Sequence, residues 1–240
     1  MHYISILSTV VVIIFALAVF DRYRRRGGTH LLLWGIGLLF FGLGTLSEAI
    51  MLFTFNEVIL KLWYFSGAMM TAAWLGQGTV YLLVRKRNVA RSLTFFLFLF
   101  SLVALAFLVF APVTPAAASF DLNQPASAQY KDILMRGSGL VVLTVFLNVY
   151  GTIALVGGAI YSAFLFWRKR VLPNRMLGNI LIATGALLPA IGGTFIRVGI
   201  ADWLYVSEFL GAVILFAGFI VATAEQPLLL SNESKSLPAQ

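Results

Sequence analysis

Seven runs of apolar residues, each long enough to cross a bilayer, lie near 3–20, 31–54, 58–84, 92–113, 137–167, 176–198 and 203–224. A helical span needs about 20 such residues at ~1.5 Å rise each. In hydrocarbon every backbone polar group must be satisfied internally, and at this segment length only the α-helix does so. The pattern predicts an all-α integral membrane protein, a seven-helix bundle forming one domain over 1–226. An extracytoplasmic loop is expected at 114–136 and a cytoplasmic tail at 227–240, too short for an output domain. Composition fits, since 60% apolar and 11% charged residues leave too little polar surface to cover a soluble core.

The basic residues orient the bundle. Arg22, Arg24, Arg25 and Arg26 follow the first run; Arg85, Lys86, Arg87 and Arg91 the third; Arg168, Lys169, Arg170 and Arg175 the fifth. Of the 17 lysines and arginines, only Lys61, Lys131, Arg136 and Arg197 fall on the other side. The positive-inside rule then places the N-terminus outside and the C-terminus in the cytoplasm. The clusters also face anionic lipid headgroups, so the net charge of +8 implies a membrane surface and not nucleic acid. The first run lacks a basic start and a cleavage site, and reads as an uncleaved helix. The loop "PVTPAAASFDLNQPASAQYKDILMRG" reads as a plain connector with a short interfacial helix at its end.

Charge inside the spans is scarce and therefore informative. Residues three, four or seven apart share a helix face, so Gly37, Gly44 and Glu48 form one stripe on the second span. Small residues mark the side where another helix packs closely, so Glu48 points into the bundle. On the sixth span Asn179, Ala183, Ala186, Ala190, Gly193 and Arg197 form a similar seam; on the seventh, Glu208 precedes Gly211 and Gly218. Arg136, Thr144, Asn148 and Thr152 share a face of the fifth span, and Ser66, Ala73 and Gln77 one of the third. By depth, Glu48, Lys61, Arg197 and Glu208 lie near the outer ends of their spans. The expectation is an intramembrane network in which Glu48 faces Arg197 or Lys61, with Glu208 nearby and Arg136 at the rim. Gln77 and Asn148 are read as interhelical hydrogen-bonders. Trp34, Trp63, Trp167 and Trp203 are read as interfacial anchors, Trp74 as core, and Pro189 as a kink.

Much chemistry is excluded. There is no cysteine, and only His2 and His30 are present, so disulfides, iron–sulfur ligation and a multi-histidine zinc or haem site have nothing to be built from. No span holds a serine beside a base, and the seventh has no lysine for a retinal Schiff base. No cofactor and no enzymatic activity are expected.

The stretch "LLLWGIGLLFFGLGTLSEAI" and, beyond it, "LKLWYFSGAMMTAAWLGQGTVYLLVRKR" together resemble the seven-helix N-terminal sensor region of some bacterial histidine kinases. This chain departs from them in having no kinase domain. The resemblance implies a sensor or receptor module in the bacterial cytoplasmic membrane whose output is a separate signalling partner protein. A second pattern competes. "LWYFS" at 62–66 and "WLYVS" at 203–207 open the third and seventh spans, hinting at a three-plus-one-plus-three duplication of the kind found in sugar transporters. The expected function is thus an outward-facing polar pocket in a receptor-like protein, with a small-solute or ion-coupled transporter as the alternative.

Overall fold

The computed structural model describes residues 3–84, 86–170, 172–195 and 202–224, of which 193–195 and 202 are described in backbone only. Among them are seven helices long and apolar enough to cross a membrane, as expected of a multi-pass membrane protein. These are α1 (Ile4–Arg26), α2 (Thr29–Met51), α3 (Glu57–Leu83), α4 (Arg87–Phe110), α6 (Ser138–Lys169), α7 (Pro173–Phe195) and α8 (Asp202–Thr223). A short helix, α5 (Ala126–Ile133), lies in the connector between α4 and α6. α1 runs further than its apolar run suggests, so Arg24, Arg25 and Arg26 form its last turn, where the helix dipole favours positive charge.

The helices form a ring. α1 packs on α2, α2 on α3, α3 on α6, α6 on α7, α7 on α8, and α8 returns to α1. α4 stays outside, against α3 and α6, with 22% of its apolar window buried against 50% in α2 and in α3. The sequential packing of the first three helices has a counterpart in the last three. The sequence carries the same repeat at one constant offset: Gly37 and Gly44 recur as Gly178 and Gly185, and Tyr64 and Ser66 as Tyr205 and Ser207.

Those glycines set the packing. A methyl on Gly37 would sit 2.7 Å from Leu75 N, and one on Gly44 would sit 2.8 Å from Gly67 Cα. In the second half a methyl on Gly185 would sit 2.6 Å from Leu215 N. Each half therefore joins two antiparallel helices backbone to backbone. Pro189 continues α7 without interrupting it, offering no N–H to Gly185 O, and Gly211 of α8 packs directly onto that carbonyl.

Two helices contain a π-turn: Tyr64–Met70 in α3 and Ile153–Gly157 in α6. Each adds a residue to its turn, shifting the face seen beyond it, and the carbonyls it misaligns need other donors. In α3 the Thr71 hydroxyl donates to Ser66 O at 2.9 Å, and Asn148 Nδ2 from α6 donates to Ala68 O at 2.7 Å.

At the end of the bundle bearing the connector, the chain from 111 to 137 is folded. Thr114 N donates to Ile133 O at 2.8 Å and Met135 N to Pro112 O at 3.0 Å, while the Gln129 amide both accepts from Asp121 N and donates to Asp121 O. Ala126, Ser127, Ile133 and Leu134 are buried against the helices, so α5 is inserted in the bundle's end and is not an interfacial helix. Replacing Gly44 by leucine should cost about 1–3 kcal/mol or abolish folding, because the Gly67 backbone lies against it and cannot give way. Gly157→Ala, which meets open space, should cost nothing. Thermal unfolding of the purified variants in one detergent measures both.

Candidate functional site

A cavity of about 330 Å³ occupies the centre of the ring. Its walls come from α2, α3, α6, α7 and α8, and its mouth from Ser127, Tyr130 and Lys131 of α5. Leu75, Leu155 and Leu215 form the floor, near the middle of their helices. They belong to an apolar cluster with Phe15, Trp34, Leu38 and Phe219 that fills the rest of the bundle. Phe15 stacks on Phe216 at 4.9 Å and lies 5.5 Å from Phe219, and Trp34 lies 6.3 Å from Phe219. The cavity thus extends from the connector end to mid-bundle, with close-packed aromatic side chains beyond it.

Glu48 and Glu208 meet in its wall. Glu48, from α2, is 2% exposed, and the carboxyls are close enough for one to donate a hydrogen bond to the other. They come from opposite halves of the repeat and sit about one to two turns from the connector end. Glu48 Oε1 and Glu208 Oε2 are shut from solvent and have no hydrogen-bond partner among the described residues. A hydrogen bond between two carboxyls needs a proton on at least one of them, so the pair carries at most a single negative charge.

The other expected members fall elsewhere. Arg197 lies outside the described residues. Lys61 does not serve Glu48; it pairs with Glu57 one turn earlier at 2.6 Å and donates to Val109 O at 3.3 Å. Arg136 is not on the α6 face with Thr144 and Asn148, because that helix starts only at Ser138. Its guanidinium instead lies 4.7 Å from the centre of the Tyr130 ring and 5.9 Å from that of Tyr64, tying α5 to α3. Trp63 meets Tyr130 edge-on at 5.4 Å and completes this latch. The connector is therefore a cover for the cavity mouth and not a plain linker.

Gln77 is fully buried and faces away from the cavity. It donates to Ala90 O at 3.0 Å and Thr94 Oγ1 at 2.7 Å, both on α4, and accepts from the Tyr150 hydroxyl. Asn148 does line the cavity, but both its donors are engaged, one by Ala68 O and one by Thr144 O at 2.9 Å. Trp34 and Trp63 are buried and not interfacial: Trp34 donates to Thr79 Oγ1 at 3.3 Å, and Trp63 lines the cavity. Trp167 and Trp203 are exposed on the bundle surface, and Trp74 is buried and donates to Ser101 Oγ. Thr45, Thr71, Thr152 and Ser127 are cavity residues that spacing alone does not single out as a group.

No family model matches the chain, and no curated protein matches it.

Gln77→Leu should lower stability by about 1–3 kcal/mol, since Tyr150 is left without its acceptor, and Gln77→Leu/Tyr150→Phe should recover part of the loss. Unfolding of the single and double variants checks this. Arg136→Met should cost about 0.5–2 kcal/mol of the cation–π latch. It should raise amide exchange across 126–134 while leaving 71–83 protected, as read by hydrogen exchange with mass spectrometry.

Proposed function

We propose that this chain is a receptor-like membrane protein that binds a small ligand from the connector end and signals to a separate partner protein at the other. The one-sided cavity carries this reading. A polar recess ending at mid-bundle on a leucine floor, with packed aromatic rings beyond it, suits detection of a ligand without its passage. The folded connector gives ligand binding something to move, because Tyr130 and Ser127 are at once its wall and part of the bundle's end. The resemblance of α2 and α3 to sensor regions of bacterial histidine kinases leans the same way. The basic turns after α1, α3 and α6 orient the protein with the connector outside and the C-terminus in a bacterial cytoplasm, where anionic headgroups meet those turns.

A second reading is favoured by one specific observation. The ring repeats across the cavity, and parallel repeats flanking a central site are the architecture of several solute carriers. In that case the leucine floor and the aromatic rings beyond it are a gate.

The absence of native cysteine allows a direct test. Thr152→Cys, in the cavity wall, should react with a membrane-impermeant maleimide from the connector side only, assayed in right-side-out and inverted vesicles. Reaction from both sides would establish the carrier, and reaction from neither would end the pocket reading. A reporter fused after residue 224 should be active only as a cytoplasmic one.

A further inference from the structure

From the cavity's lining we infer that it takes a small organic monocation, a protonated amine or a quaternary ammonium ion. This rests on the pocket reading and adds the class of ligand.

The first observation is the bias of the polar wall. Thr45 donates to Phe41 O and Gly42 O at 3.3 and 3.2 Å, Thr71 to Ser66 O, and Asn148 to Ala68 O and Thr144 O. With their hydrogens turned into backbone, these groups present lone pairs to the cavity. The second is the carboxyl pair. Among the described residues Glu48 Oε1 and Glu208 Oε2 are buried acceptors without donors, in a wall that also holds the Ser127 and Thr152 hydroxyls. A buried unsatisfied acceptor is unfavourable, more so when charged, and a bound N–H or a cationic methyl face removes that penalty. The third is the aromatic share: Phe41, Trp63 and Tyr130 stand on the same cavity, and ring faces attract cations. The pair carries at most one negative charge, so a guest of more than one positive charge would be left unbalanced. An anion would face the two carboxyls, and among the described residues the one cationic side chain on the cavity is Lys131, exposed at the mouth. A volume of about 330 Å³ is at the small end for a ligand site and limits the guest to a compact molecule.

The test compares two thiol reagents of similar size and opposite charge on the full-length protein in nanodiscs. These are trimethylammonium-ethyl and sulfonato-ethyl methanethiosulfonate, applied to Thr152→Cys and, as a second site, Ala68→Cys. Rates are divided by those at Ser119→Cys on the exposed connector. The expected result is a preference of at least tenfold for the cationic reagent, lost on adding Glu48→Gln and Glu208→Gln. Phenylethylammonium should slow the reaction, and phenylacetate should not. Equal rates for the two reagents would overturn the cation assignment while leaving the pocket intact. Exclusion of both reagents from both cysteines would overturn the pocket and this inference together. A preference surviving both glutamine replacements would overturn the role given to the carboxyls.

Discussion

Lipid tails are as apolar as leucine, so no hydrophobic force drives one membrane helix onto another, and this bundle depends on contacts lipid cannot make. Its glycine seams are such contacts. Gly37 and Gly44 admit α3 to the backbone of α2, and Gly178 and Gly185 do the same for α8 on α7. Helix pairs drawn that close form two rigid walls. Between the walls the contact is of another kind. α3 meets α6 at Gly76 and Gly151, again through backbone, whereas α8 meets α1 through stacked phenylalanines. The ring is tight on one flank and side-chain-mediated on the other, and the cavity is the space the two walls do not fill.

The π-turns work within that frame. A regular α3 would satisfy its own carbonyls and offer nothing to a neighbour. The wider turn at Tyr64–Met70 gives Ala68 O to Asn148 of the other half, making a polar link between halves beside the cavity. Tyr64 makes a second link one turn away, its hydroxyl 3.0 Å from Thr144. Both links join residues that line or adjoin the cavity, so the carboxyl pair, the connector and the inter-half contacts share one end of the molecule.

How much of this is legible in the sequence depends on how local each signal is. Seven apolar runs suffice for seven helices, because at this length the helix is the form that satisfies its own backbone in lipid. The glycine stripe on α2 identifies the buried face, and with it the inward direction of Glu48. Lys61 is misassigned when depth is weighed before sequence distance: Glu57, four residues earlier on the same helix, is the nearer partner. The face of Ser66, Ala73 and Gln77 assumes an unbroken 3.6-residue period. The π-turn between Ser66 and Gln77 rotates the remainder of α3, turning Gln77 toward α4. Trp34 and Trp63 resemble belt residues because they lie near helix ends, but Gly78 leaves room for the first and α5 covers the second. Nothing in apolar periodicity announces a π-turn or a lid.

The position of α4 outside the ring has a consequence for chain direction. Three helices carry a chain to the opposite face of the membrane from the one where it began. A copy of those three joined directly would be built upside down. The fourth helix returns the chain to its starting face, although as a span it encloses nothing. Had it been lost, the second half would be inverted, its basic turn would face the wrong compartment, and Glu208 would end a membrane's depth away from Glu48. The helix that contributes no wall to the cavity is the reason its two carboxylates can meet.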